Sequence, residues 1–574
     1  MRHMLSGKTA EAYRRWMAHA DADPDTAREL REMEGHEERI KDAFYQELTF
    51  GTGGLRGIIG AGSNRMNVYT VARASQGLSN YVTAGFPREQ WKIAVSYDSR
   101  IKSEVFAKTA AGVFAANGIQ VMIYGQLMPT PCLSYAVRAL ECAAGVMVTA
   151  SHNPADYNGY KVYGPDGCQI TLEAASSIQA EIGRTDLFGG VKSMEFVRGL
   201  AEGLIRFIPE QVYTDFVEEV KGQSLLGSET AVDKNICIVY TPLNGTGLRP
   251  VLRTLRETGY ANITVVKEQE APDGSFPTCP YPNPEVREAM ELGLDYARRV
   301  RADILLATDP DCDRVGVAAR SADGSYVLLS GNETGLLLLD YICARRLENG
   351  TMPRDPVAVK TIVTSDMAER IASHYGVQTV NVLTGFKFIG ERIGQLERQG
   401  RGERFIFGFE ESCGYLSGCY VRDKDAVNAS LLICEMAAYY KARGIGLPER
   451  LDALYAEYGY SCESLRSFTY DGPEGPEKMS AVMAGFRSGI SHVGMRRVEA
   501  CVDYAAGVGG LPKADVLKFT LEGNCSFVVR PSGTEPKIKV YLSVSGRDRE
   551  EAMGISQDVL SQIKNFLEDG REPQ

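Results

Sequence analysis

Four times along this chain a short apolar run stops at a cluster of small, polar or charged residues. Val146-Met147-Val148 leads into Thr149-Ala-Ser-His-Asn-Pro154, and Ile304-Leu305-Leu306-Ala307 leads into Thr308-Asp-Pro-Asp-Cys-Asp-Arg314. Phe405-Ile406-Phe407 leads into Gly408-Phe-Glu-Glu-Ser-Cys-Gly-Tyr415, and Phe527-Val528-Val529 into Arg530-Pro-Ser-Gly-Thr-Glu-Pro536. A short apolar run bounded by turn residues reads as a strand buried on both faces, the pattern of α/β proteins. Residues just past the end of such a strand stand at the carboxyl edge of the sheet, where ligands bind. The repetition predicts an α/β chain with successive ligand-facing loops.

Each loop carries a different chemistry. Ser151 offers a hydroxyl suited to a nucleophile or a phosphate carrier. Asp309, Asp311 and Asp313 alternate, so an extended or looped backbone points them the same way, and like charges so placed call for a cation between them. Ligands that are all oxygen suit a hard ion such as Mg²⁺ rather than zinc. An EF-hand is excluded, since the sixth and twelfth positions of the series are Arg314 and Arg320 instead of Gly and Glu. Glu410 and Ser412 sit on a Gly-bounded loop and offer an acceptor and a donor of the kind adjacent sugar hydroxyls need. Arg530, Ser532, Gly533 and Thr534 together make a phosphate cradle, with a bidentate fork, hydroxyl donors and a Gly that lets backbone N–H groups approach. Taken singly, each loop also reads as an ordinary turn; taken together, they describe phosphoryl transfer on a sugar.

The order and content of these four loops resemble the α-D-phosphohexomutase family over nearly the whole chain. Gly408 to Tyr415, Leu383-Thr-Gly-Phe-Lys-Phe388 and Val421-Arg-Asp-Lys-Asp425 look like the longer branch that holds bacterial α-phosphoglucomutases and phosphopentomutases. The resemblance implies three similar α/β domains and a C-terminal α+β domain around a central cleft. It implies interconversion of glucose 1-phosphate and glucose 6-phosphate through a phosphoserine at Ser151 and a glucose 1,6-bisphosphate intermediate, which also serves as activator. Mg²⁺ would be held by Asp309, Asp311, Asp313 and the Ser151 phosphate. Phosphopentomutase and phosphomannomutase activities stay open, with a sugar-bisphosphate synthase or phosphatase behind them.

By the same resemblance Arg56, in Gly51-Thr-Gly-Gly-Leu-Arg-Gly57, lies close to the phosphoserine. His152 and Lys161 match positions linked to proton transfer, Lys161 being favoured as general acid or base with a lowered pKa. Arg314 borders the metal loop and Arg100 is a supporting residue. Lys387 and Lys424 add charge at the non-reacting phosphate.

A chain of 574 residues exceeds one core and implies about three to five domains. Helical patterns between the strands divide it into a charged helical extension (1–40), in which Asp23-Pro24 suits a helix N-terminus, a phosphoserine unit (41–207), a metal unit (208–322), a sugar unit (323–445) and a phosphate unit (446–574). No sequence repeat relates these units. The net charge of −11 without a basic run argues against nucleic acid or an anionic membrane and for small anionic sugar phosphates drawn in by local Arg and Lys. The 13 cysteines show no paired spacing and the start has no apolar signal region, which points to a cytoplasmic protein with reduced thiols. No apolar stretch is long enough to span a membrane, Asp340 interrupting Leu336 to Cys343.

Overall fold

The computed structural model describes residues 7–51, 53–227, 232–470, 474–532 and 537–569, and its strands form four sheets. The first contains β1 (Gly54–Ile58), β2 (Lys92–Tyr97), β3 (Gln120–Ile123), β4 (Ala144–Val148), β5 (Tyr157–Tyr163) and β6 (Ile205–Phe207), in the order β1-β5-β4-β2-β3-β6. The second contains β7 (Ile238–Thr241), β8 (Ile263–Val265), β9 (Ile304–Thr308), β10 (Val315–Arg320) and β11 (Tyr326–Leu329), ordered β11-β10-β9-β7-β8. The third contains β12 (Val357–Thr361), β13 (Gln378–Val382), β14 (Phe405–Glu410) and β15 (Gly414–Leu416), ordered β13-β12-β14-β15.

These three sheets share one plan, as the expected three similar units require, although no sequence repeat relates them. The strands β2, β7 and β12 are each flanked by two parallel partners: β3 and β4, β8 and β9, β13 and β14. The later partner then turns back into an antiparallel neighbour, giving β4 with β5, β9 with β10, and β14 with β15. That turn is where the first three loops fall. In all three it contains a non-glycine residue in the left-handed region: Ser151 at φ 54°, Cys312 at φ 51° and Cys413 at φ 60°. Such residues are uncommon and gather at functional sites.

The fourth sheet is antiparallel, with β16 (Tyr460–Thr469), β17 (His492–Val493), β18 (Arg496–Asp503), β19 (Leu517–Leu521), β20 (Cys525–Pro531) and β21 (Lys537–Gly546) ordered β16-β21-β20-β19-β18-β17. Helices Gly475–Arg487 and Arg549–Asp569 cover it, through Met483, Phe486, Val559 and Ile563. The expected three α/β units and one α+β unit are thus observed.

The largest apolar core spans the second and third sheets. Tyr240, Leu306 and Val317 of one and Val357, Phe407 and Leu416 of the other belong to a single cluster with the helices Gly331–Glu348 and Ala426–Lys441. Both helices are buried along most of their lengths, as helices that are apolar on every side must be. The fourth sheet joins the third by a smaller apolar patch, Val528 and Tyr541 on Ile362, Val363 and Leu383. Beside the patch lies a polar centre: Asp366 accepts from Lys518 Nζ at 2.7 Å, from Ser526 Oγ at 2.5 Å and from Lys360 Nζ at 3.1 Å. Burial pushes the Asp366 carboxyl up, and the two lysines more than reverse this, leaving it below the usual range.

At the start of the described chain, α1 (Gly7–His19), α2 (Pro24–Glu32) and α3 (Glu37–Phe44) pack through Trp16, Leu30, Ile40 and Phe44. Trp16 lies edge-on to Tyr69 and Phe188, which seats these helices on the first unit. Asp23 caps α2 by accepting from Thr26 N at 3.2 Å, with Pro24 at the first helical turn.

Candidate active site

The strand β4 is buried throughout, and the chain leaves it at Thr149. Thr149 Oγ1 accepts from Ser151 N at 2.8 Å. Behind it, Gly159 of β5 comes so close that a Cβ there would lie 2.4 Å from Thr149 O. Only glycine lets β5 back the serine loop at this spacing. The rest of the loop is gripped by Arg100, which is 3% exposed. Its guanidinium donates to Ser151 O at 2.5 Å, Pro154 O at 2.7 Å, Tyr157 O at 3.1 Å, and also to Asn153 O. Asp98 stands 3.5 Å from Arg100 Nε as its buried counter-ion. Arg100 therefore holds the carbonyls of the serine loop.

Ser151 Oγ donates to Asp309 Oδ2 at 2.9 Å and lies 3.2 Å from His152 Nδ1. Asp309, Asp311 and Asp313 are all buried and present carboxylate oxygens within 4.8 Å of one another, the one such acidic cluster among the described residues. Burial first, then repulsion from Asp311 and Asp313, pushes Asp309 well above the usual carboxylate range. The side-chain atoms Asp311 Oδ1 and Asp313 Oδ1 are buried with no hydrogen-bond partner. Three buried carboxylates this close together, with two of their oxygens lacking a donor, fit a hard cation.

Lys161, on β5, donates to Asp311 Oδ2 at 2.7 Å and lies 3.5 Å from Asp313 Oδ2. Burial pulls the Lys161 ammonium down, but with no cation between them Asp311 and Asp313 outweigh it and raise its pKa. The opposite holds for His152, which burial, Arg314 and Arg56 keep well below the usual histidine value and hence neutral at pH 7. Arg56, on β1, has solvent-exposed surface, yet the crowding of the protein around it, and then Arg314, lower its pKa, with Asp311 and Asp313 pulling the other way.

One correction concerns Lys424, expected at the non-reacting phosphate. Its Nζ lies 3.0 Å from Asp313 Oδ2 and 3.0 Å from Asp423 Oδ1, placing it on the acidic cluster. Tyr163 OH in turn donates to Asp423 Oδ2 at 2.8 Å. Lys387 lies elsewhere, in the first turn of the helix Phe386–Arg398, where it lines a cavity of about 650 Å³ with Cys168, Glu391 and Leu511. Arg314 borders the aspartate loop, paired with Glu285 and 3.8 Å from Asp313 Oδ1.

Glu410 ends β14 and is buried; burial raises its pKa to about 7, Lys424 opposing and Glu411 adding. Ser412 follows in the half-buried turn before Cys413, whose carbonyl accepts from Val315 N at 3.1 Å. The third loop is thereby stitched to the second. Arg530 lies near the end of β20, and Ser532 N donates to Lys537 O at 2.7 Å where β20 gives way to β21. Gly533 and Thr534 lie outside the described residues. Tyr541 relates this end to the third unit: burial raises its pKa to about 12, with Glu411 and Glu410 adding and Arg530 opposing.

Three neighbours of the site carried no sequence signal. Thr130, whose hydroxyl donates to Asp311 Oδ2 at 2.9 Å, reads as part of a Pro-Thr-Pro helix start. Glu285 and Tyr281 belong to an irregular segment between β8 and β9, and the Tyr281 ring lies edge-on to His152 at 6.0 Å.

Residues 47–187, 211–323 and 330–458 match the phosphoglucomutase/phosphomannomutase α/β/α domains I, II and III, and residues 495–562 match the C-terminal domain of the same family. A phosphoglucomutase of Staphylococcus saprophyticus is 35% identical over 531 residues, 90% of this chain and 94% of that one. One from Staphylococcus aureus is 35% identical over 529 residues, 89% and 92% of the two chains. Among solved structures, the open form of the Paramecium phosphoglucomutase parafusin aligns with a TM-score of 0.69 at 17% identity, covering 92% of this chain and 97% of that one. A phosphoglucomutase/phosphomannomutase family protein of Burkholderia thailandensis aligns at 0.68 and 16% identity, covering 92% and 99%.

Proposed function

This chain belongs to the phosphoglucomutase/phosphomannomutase family, and from that premise we propose that it interconverts glucose 1-phosphate and glucose 6-phosphate through a phosphorylated Ser151. The observation that carries the reading is the serine itself, strained into the left-handed region and 2.9 Å from a buried aspartate triad. Ser151 carries the phosphoryl group in the active form. A sugar hydroxyl takes that group to give glucose 1,6-bisphosphate, the bisphosphate reorients, and Ser151 recovers a phosphoryl group from the other end.

Asp309, Asp311 and Asp313 hold Mg²⁺, which supplies charge to offset that on the transferring group. Lys161 and His152, both beside Ser151 and the aspartate triad, are the groups placed to give and receive a proton in a reversible transfer, Lys161 being favoured. Glu410 and Ser412 hold the sugar hydroxyls. Arg530 and Ser532, with Gly533 and Thr534, bind the phosphate that is not reacting, with Lys387 nearby. Arg56 and Arg314 face the reacting one. Lys424 is moved by its contact with Asp313 from the distal phosphate to the reacting end. The work divides among units 41–207, 208–322, 323–445 and 446–574, the last closing over the sugar to exclude water.

The test is a panel of glucose 1-phosphate, mannose 1-phosphate and ribose 1-phosphate with Mg²⁺ and trace glucose 1,6-bisphosphate, run beside Ser151→Ala. Glucose 6-phosphate as the dominant product, absent from the variant, supports the proposal. A dominant mannose or pentose product moves the substrate and keeps the mechanism, whereas free phosphate or an active variant overturns it.

A further inference from the structure

Asp311 receives its hydrogen bonds on one side only. Its Oδ2 accepts from Lys161 Nζ at 2.7 Å and from Thr130 Oγ1 at 2.9 Å, while its Oδ1 is buried and has no hydrogen-bond partner. Thr130 also reaches the backbone, its N–H donating to Asp311 O at 3.0 Å. The residue begins the helix Thr130–Ala139 of the first unit and is fully buried. Hydroxyl and amide together fix both the side-chain rotation and the main-chain position of a residue in a different unit, 181 positions along the chain.

The two donors to Oδ2 are not equivalent. Lys161 neutralises charge and is shared with Asp313 Oδ2 at 3.5 Å, so by itself it gives Asp311 no single orientation. A hydroxyl orients a carboxylate without bringing a positive charge to compete with a cation. We propose that Thr130 is a positioning residue of the cation site, turning Asp311 so that Oδ1 faces the metal and registering the aspartate loop of the second unit against the serine loop of the first. The inference rests on reading the aspartate triad as a cation site. Thr130 touches neither substrate nor metal, and it acts through Asp311.

The experiment is a titration of the purified full-length protein with Mn²⁺, free ion being counted by electron paramagnetic resonance. Parent, Thr130→Val, Thr130→Ser and Asp309→Asn are compared, each with its melting temperature without metal. Valine keeps the volume and removes the donor. Thr130→Val is expected to weaken Mn²⁺ binding by about 10- to 100-fold, the range for losing a partner of a metal ligand. Thr130→Ser, which keeps the hydroxyl, is expected to stay within about threefold of the parent. Valine and parent binding equally tightly overturns the inference, as does a serine variant as weak as valine, since packing alone would then explain both. A parent whose Mn²⁺ binding is unchanged by Asp309→Asn overturns the cation reading of the triad itself.

Discussion

Replacing Arg100 by methionine removes a guanidinium from the most enclosed part of the serine loop while keeping a side chain of similar length. Four loop carbonyls then lose their donor, and Asp98, 3.5 Å away and itself fully enclosed, loses its counter-ion. Hydrogen bonds to charged groups contribute about 1.5–3 kcal/mol each, so a plain sum would be large. The carbonyls lie on a loop beside the cleft, however, and find water once released, whereas Asp98 does not. The stranded charge therefore dominates, and breaking a buried pair in this way costs about 3–5 kcal/mol. For a unit of this size that corresponds to a loss of roughly 6–20 °C in melting temperature. Turnover should fall further, because misplacing the Ser151 oxygen by about 1 Å costs on the order of a hundredfold. Scanning calorimetry and glucose 1-phosphate kinetics on Arg100→Met, Asp98→Asn and the double variant separate the two effects. The double variant should regain stability, having no stranded carboxylate, and remain slow, having no clamp. A single variant melting within about 2 °C of the parent and turning over within about threefold would refute the clamp.

Two shorter predictions follow from the same geometry. Glu410 has a pKa raised to about 7, mainly by burial, so kcat/KM for glucose 1-phosphate should drop as pH falls through 7 and the carboxylate that accepts sugar hydroxyls is protonated. The same raised value means its contribution to stability is present below the ordinary carboxylate pKa and lost as pH rises through 7, so Glu410→Gln should flatten both profiles; a parent with no inflection near 7 would contradict this. A Cβ at Gly331 would lie 2.0 Å from Glu411 O and 2.6 Å from Cys413 N, so Gly331→Ala should displace the sugar loop, lower stability by about 1–3 kcal/mol and raise KM more than it lowers kcat. An unchanged KM would show that the loop is not seated where its backbone contacts place it.

Ser151 and the aspartate triad were legible in the sequence because each follows a strand so apolar that its end is unmistakable. Lys424 was misplaced for the converse reason: its neighbours in sequence say nothing of Asp313, and only the folding of the third unit onto the second brings the two together. The raised Lys161 pKa of the cation-free site was likewise out of reach, since it depends on two carboxylates outweighing burial, a balance of distances that a motif does not contain. Thr130 illustrates a third limit. Its Pro-flanked position announces a helix start, and that local role is real, but its partner is set by how two sheets pack. The likeness of the first three units was expected from their repeated strand-and-loop pattern, but their strand order was not, because it is a property of hydrogen bonding, and different apolar residues satisfy the same ladder.

Asp366 gives the fourth unit a point of attachment that does not depend on interlocking shape. Two bodies joined by a broad interdigitated seam meet at one angle, because any other leaves knobs facing knobs. A carboxylate gripped by Lys360 from its own side and by Lys518 and Ser526 from the other behaves more like a ball in a socket, since ammonium and hydroxyl donors follow an anion through a rotation without a break. The joint between the third and fourth units thus rests on one carboxylate beside a small apolar patch, so a change at that single acidic residue would loosen the attachment of the fourth unit while leaving Ser151 and the aspartate triad as they are.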